Sequence, residues 1–193
     1  MLENESPVPQ PEEEPRRSLW SALSWVRDLA FSVLIAVVLI VFIYQPVKVE
    51  GTSMKPTLLD DERIFINKFS LKFGLGSIER GDTVVFWFPE DRTKSYIKRV
   101  IGLPGDKVRI ESGQVYVNDK PLDFVPQDCN CKDNVSWPHV PVDQVVPPDS
   151  YFVLGDNRGS SSDSRSWGYV PRDCIYGKAV FAYWPIDHLG RLR

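Results

Sequence analysis

Tyr96-Ile97-Lys98-Arg99-Val100-Ile101-Gly102-Leu103-Pro104-Gly105-Asp106 reads as a strand running into a tight turn. β-branched and aromatic residues fill its first half, and Pro-Gly-Asp supplies the turn chemistry that ends it. Downstream, Lys107-Val108-Arg109-Ile110 and Val115-Tyr116-Val117 flank Glu111-Ser112-Gly113-Gln114, the pattern of a hairpin. Comparable runs occur at Arg63–Asn67, Thr83–Phe88, Ser150–Leu154 and Gly177–Tyr183. Strands this short, broken by Gly-Asp and Pro-Gly turns, predict a mostly β domain of mixed sheets over residues 46–193. Residues 121–148 hold six prolines and read as a long ordered loop or insertion.

Composition narrows the function. The 193 residues are 42% hydrophobic and 12% aromatic, enough to fill a core and too apolar for disorder of the whole chain. A net charge of -3 with scattered basic residues gives no nucleic-acid footprint. His139 and His188 sit in no triad or zinc motif, so neither a metal nor a cofactor is predicted. The three cysteines, Cys129, Cys131 and Cys174, permit one disulfide from Cys174 to either of the others, or three reduced thiols.

Residues 1–15 are rich in Pro and Glu and nearly devoid of apolar residues, so 1–19 reads as a disordered tail. The run from Leu29 to Tyr44 has neither charge nor proline. As a helix its sixteen residues rise about 24 Å, slightly short of the usual span of about 20 residues. Trp20, Leu23, Trp25 and Val26 extend it into the headgroup zone, and Trp20, Trp25 and Tyr44 suit the two interfaces. A buried core helix would show a polar face, which this segment lacks. A cleaved leader would end in small residues, whereas Ile43-Tyr44-Gln45-Pro46-Val47-Lys48 follows. Residues 20–45 are therefore expected to be an uncleaved transmembrane signal anchor. Arg16, Arg17 and Arg27 precede its uncharged run, which places the N-terminus in the cytoplasm and everything after Gln45 on the trans side.

Gly51-Thr52-Ser53-Met54-Lys55-Pro56-Thr57-Leu58 lies just beyond that anchor on a turn-prone segment. Ser53 is separated from Tyr44 by a tether that reaches about 30 Å at most. A serine hydroxyl needs a base to act as a nucleophile, and no histidine is suitably placed. Lys98 is the alternative. On a strand it shares a face with Tyr96 and Val100, while Arg99 lies opposite with Ile97 and Ile101. A lysine at its ordinary pKa is useless as a base, but burial can depress it by several units. Taken alone, Lys98 reads as a solvated strand lysine.

The block Gly51–Leu58, Gly81-Asp82-Thr83-Val84-Val85-Phe86, the Tyr96–Asp106 segment, and Gly155-Asp156-Asn157-Arg158 followed by Asp163-Ser164-Arg165 and Trp167-Gly168 occur in this order. Together they resemble the type I signal peptidases, membrane-bound Ser/Lys leader peptidases, over residues 20–188. The resemblance implies an antiparallel β-sheet catalytic domain behind one transmembrane helix. It implies cleavage of signal peptides from exported preproteins after a small residue, of Ala-X-Ala type, with the lipid bilayer and a nearby export translocon as partners. The catalytic domain then faces the periplasm, the extracellular space or the thylakoid lumen.

By the same resemblance Ser53 is the nucleophile and Lys98 the general base. Ser161 orients the amine, Asp163 and Arg165 brace the site, and Asp156 with Arg99 forms a second brace. Val49, Met54, Leu58 and Ile97 match the pocket for the residue before the cut. Some relatives carry a serine where this chain has Gly51. The oxyanion then relies on backbone N–H groups around Gly51, Thr52 and Ser53, chiefly that of Ser53.

Without those blocks, Ser160–Ser164 would be a solvated loop, and Asp163 with Arg165 a surface pair worth under about 1 kcal/mol. Trp87, Phe88, Trp184 and the stretch Phe69–Leu75 read as core, with insertion into a membrane interface as the alternative. Two other functions compete: an inactive, anchored binding factor, and a self-cleaving Ser/Lys regulator. Retention of Ser53 and Lys98 opposes the first, and the absence of a DNA-binding helix pair opposes the second.

Overall fold

The structure, a computed structural model, describes residues 19–111, 113–122 and 143–192. The chain falls into two compact units, 1–40 and 41–193. Helix α1 spans Leu19–Ile43, ending just past that boundary, and residues 25–38 on it are exposed. Among the described residues no helix is long and apolar enough to cross a membrane.

The second unit is built from strands. In chain order they are β1 (Tyr44–Lys48), β2 (Arg63–Asn67), β3 (Thr83–Phe88), β4 (Asp91–Gly102), β5 (Lys107–Glu111), β6 (Gln114–Val117), β7 (Lys120–Pro121), β8 (Asp143–Val145), β9 (Ser150–Leu154), β10 (Val170–Pro171), β11 (Ile175–Trp184) and β12 (Gly190–Arg191). Two short helices interrupt them, α2 (Phe69–Lys72) and α3 (Ser164–Trp167). The larger sheet has the order β1-β2-β11-β3-β4-β9-β10 with β12 beside β11, and the smaller has the order β7-β6-β5-β8. Every pairing is antiparallel.

β3 is central, which explains its unbroken apolar run. Val84 and Phe86 enter one core with Val100, Val153 and Ile175. Val85 enters another with Ile64, Ile66 and Ala179. A strand buried on both faces cannot alternate with polar residues. A third core, containing Ile101, Val108, Val117 and Phe152, joins the small sheet to β4 and β9.

The expected hairpin is β5–β6, in register Val108↔Val117 to Glu111↔Gln114. β1 escaped the sequence reading because Pro46 interrupts it. It is an edge strand, where a missing N–H is tolerated. The proposed insertion 121–148 is shorter than expected at both ends. Pro121 belongs to β7, and Asp143–Val145 forms β8 against β5. The remainder of it, 123–142, lies outside the described residues, as do Cys129, Cys131 and His139. Cys174 is a free thiol, 1% exposed in the first core, so the disulfide alternative involving it is not realised. Several aromatics assigned to the core are exposed instead: Phe73 by 60%, Trp184 by 50% and Trp87 by 38%. Phe73 follows α2 and Trp184 ends β11.

Candidate active site

Ser53 sits on a turn anchored from below. Met54 and Leu58 are fully buried beside Val49, Ile64 and Val85. The Leu58 N–H donates to Met54 O at 2.9 Å, and the Lys55 N–H donates to Thr52 O at 3.2 Å. Gly51 has φ of +93°, a conformation that glycine adopts readily. Its N–H donates to Asp60 Oδ1 at 2.8 Å. Of the N–H groups expected around the oxyanion, that of Gly51 is thus already engaged. The Ser53 N–H donates to no group among the described residues.

Lys98 comes from β4, opposite Val84 in register. Its Nζ is 2.7 Å from Ser53 Oγ and also donates to Ile97 O at 3.1 Å. It stands 5.5 Å from the centre of the Tyr96 ring, so the two share a face as the strand alternation predicts. The residue is only 4% exposed. Burial pushes the amine down from 10.5 to about 8, assisted by the nearby Arg165 charge and opposed by Asp163 and Asp156.

Two buried ion pairs frame this contact. Arg99 donates from Nε and Nη2 to Asp156 at 2.7 and 2.6 Å. Its other bonds reach Gly81 O at 2.7 Å and Thr57 Oγ1 at 3.3 Å. One side chain thereby ties the strand carrying the base to the turn carrying the nucleophile. Arg165 donates from Nε and Nη2 to Asp163 at 2.7 and 2.8 Å. The second Asp163 oxygen also accepts the Gly155 N–H at 2.9 Å. Asp163 is 0% exposed, which rules out a solvated surface pair.

Ser161, Met54 and Leu58 are placed otherwise than expected. Ser161, expected to orient the amine, has a buried hydroxyl without a hydrogen-bond partner among the described residues. Met54 and Leu58 do not line the pocket. They face inward, because a one-turn segment must bury its apolar side to stay attached to the sheet. The cleft beside Ser53, of about 400 Å³, is lined by Val49 and Ile97, and also by Val47, Val85, Tyr96 and Tyr176. Among the described residues no cluster of His, Cys, Asp or Glu is arranged to hold a metal.

The signal peptidase family model, peptidase S26, matches residues 22–184. The chain belongs to the signal peptidase family. This family member is 38% identical over 186 residues to the probable signal peptidase I-2 of Synechocystis sp., covering 93% of this chain and 80% of that protein. It is 36% identical over 203 residues to the signal peptidase I of Leptolyngbya laminosa, covering 98% and 96% respectively. A crystal structure of a signal peptidase I from Enterococcus faecalis aligns at 30% identity with a TM-score of 0.45, covering 53% of this chain and 97% of that one. The chain is a hydrolase of the peptidase S26 family.

Two residues of this family member's site had no role assigned from sequence. Asn157 and Gly155 lie inside the Gly-Asp-Asn-Arg block, and that compact block was the available signal. The Asn157 N–H donates to Ser53 O at 3.0 Å. A Cβ on Gly155 would lie 2.6 Å from that same carbonyl oxygen. The same Cβ would lie 2.5 Å from Ser161 Cβ, so Gly155→Ala has to displace Gly155 itself or both the nucleophile turn and Ser161. Its expected effect is a loss of about 10²-fold in cleavage rate, the scale of a 1 Å misplacement. Circular dichroism should show the sheets retained. Wild-type turnover by Gly155→Ala would refute the close approach.

Proposed function

We propose that this chain is a membrane-anchored serine endopeptidase that removes signal peptides from exported preproteins, with Ser53 as nucleophile and Lys98 as general base. The observation that carries the reading is the 2.7 Å separation of Lys98 Nζ from Ser53 Oγ, with the lysine almost entirely buried. A neutral amine accepts the Ser53 proton as Oγ bonds to the scissile carbonyl carbon. The carbonyl π pair moves onto oxygen, and the Ser53 N–H faces that developing charge. As the intermediate collapses the C–N bond breaks, and the Lys98 ammonium gives its proton to the leaving amine. Lys98 then deprotonates a water that attacks the acyl-enzyme, and the proton returns to Ser53 Oγ.

The substrate class follows from the cleft. Val47, Val49 and Ile97 give it an apolar lining suited to small apolar side chains. Edge strand β1 offers backbone partners to an extended substrate. Incubating the purified chain with a preprotein and sequencing the new N-terminus tests this. Alanine before the cut, with a small residue two places earlier, should be required. Equal cleavage after tryptophan at that position would refute the pocket.

The bilayer enters through the apolar Leu29–Tyr44 run and the exposed residues of α1. Tyr44, where the chain joins the sheet, pairs with Asn67, two residues before Phe69. Phe73 and Leu75, both exposed, lie just beyond, so lipid contact at that edge accords with the anchor. The N-terminus faces the cytoplasm and residues 46–193 the trans side, near the export translocon. Protease added to the cytoplasmic face of sealed vesicles should trim the N-terminus and spare the domain. Digestion of the domain from that side would overturn the orientation.

A further inference from the structure

Asn157 holds the nucleophile turn at two adjacent peptide units. Its backbone N–H donates to Ser53 O at 3.0 Å. Its side-chain Nδ2 donates to Thr52 O at 3.1 Å. The Thr52 carbonyl and the Ser53 N–H belong to one peptide unit. A trans peptide is planar, so its C=O and N–H point in opposite directions. A donor fixed on Thr52 O therefore sets where the Ser53 N–H points. The Lys55 N–H supports the same oxygen from within the turn, at 3.2 Å.

Three further observations give that orientation a use. The Ser53 N–H has no acceptor among the described residues. The neighbouring Gly51 N–H is occupied by Asp60, and residue 51 carries no side-chain hydroxyl. Asn157 itself stands on rigid ground, since Asp156 beside it is clamped by Arg99. We propose that the Asn157 carboxamide is a positioning residue for the oxyanion donor: by holding Thr52 O it aims the Ser53 N–H at the oxygen of the tetrahedral intermediate. A hydrogen bond accepted by the carbonyl also polarises the N–H of the same peptide unit, strengthening it as a donor. The proposal rests on the reading of Ser53 as nucleophile. Substituting the side chain leaves the backbone bond to Ser53 O in place, so the turn stays fastened while its peptide plane loses its guide.

The test uses the full chain with Asn157→Ala and Asn157→Leu. Two probes accompany preprotein cleavage: a peptide aldehyde ending in alanine, and the same peptide as its amide. The aldehyde adds Ser53 Oγ to its carbonyl carbon, with the hydroxyl proton passing to the former carbonyl oxygen, and so samples the oxyanion site. The amide samples ground-state binding alone. Both variants should lose about 10²-fold in kcat, the lower end of what loss of one oxyanion donor removes. Aldehyde affinity should fall by a similar factor, while amide affinity, thermal midpoint and the ascending pH limb stay at wild-type values. Unchanged kcat would overturn the proposal. So would equal weakening of both probes, or a displaced pH limb, which would place the action of Asn157 on the turn as a whole or on Lys98. If Ser53→Ala cleaves preprotein like the wild type, the underlying assignment of the nucleophile fails instead.

Discussion

Lys98→Ala and Ser53→Ala should each lower preprotein cleavage by about 10⁴-fold or more, and the double variant should be scarcely worse than either. Nucleophile and base act as one unit, so removing either forfeits nearly the whole effect. The 2.7 Å contact between the two groups is the physical ground for that coupling. Wild-type activity should climb about tenfold per pH unit at low pH and level off through about 8, where the buried amine becomes neutral. A pH profile still rising near 10.5, the ordinary value for lysine, would contradict a buried base. Stability carries the same signature. Between about 8 and 10.5 the unfolded chain holds a proton that the folded Lys98 has released, so stability rises with pH across that window. Below it the buried ammonium destabilises the fold. Lys98→Met should therefore be more stable than the wild type at neutral pH, with the difference shrinking as pH rises. Parallel denaturation curves at pH 7 and 10 would show the effect, and a constant difference would count against the depressed amine.

The second large effect is on stability. Asp163→Ala should destabilise the domain by about 3–5 kcal/mol, the usual consequence of removing one partner of a buried pair. Asp163 is wholly buried, and its loss strips the Arg165 guanidinium of its carboxylate and the Gly155 N–H of its acceptor. The pair Arg92–Asp173 provides the control, since both side chains are more than half exposed. Asp173→Ala should shift stability by less than about 1 kcal/mol. Urea denaturation of the three proteins decides the matter. Similar midpoints for Asp163→Ala and Asp173→Ala would mean that burial does not set the strength of the Asp163 pair.

Local pattern was enough for much of the architecture. β-branched and aromatic runs between Pro-Gly and Gly-Asp turns located β2, β3, β9 and the β5–β6 hairpin. Strand alternation put Lys98 and Tyr96 on one face, because a period of two is a property of the backbone alone. The ordered motif blocks pointed to the family and nominated Ser53 and Lys98. What local pattern left open were contacts between distant segments. Ser53 and Lys98 lie 45 positions apart, and Arg99 and Asp156 lie 57 apart. The depressed amine of Lys98 needs burial by neighbouring strands, and no window around the residue contains that information. The family resemblance assigned Met54 and Leu58 to the pocket, yet packing turned both into the core beneath the nucleophile. Asn157 stood unassigned inside its block until folding brought its carboxamide to Thr52 O. Side-chain periodicity is set by neighbours along the chain, whereas burial and hydrogen-bond partnership are set by whichever segments the folded sheet brings together.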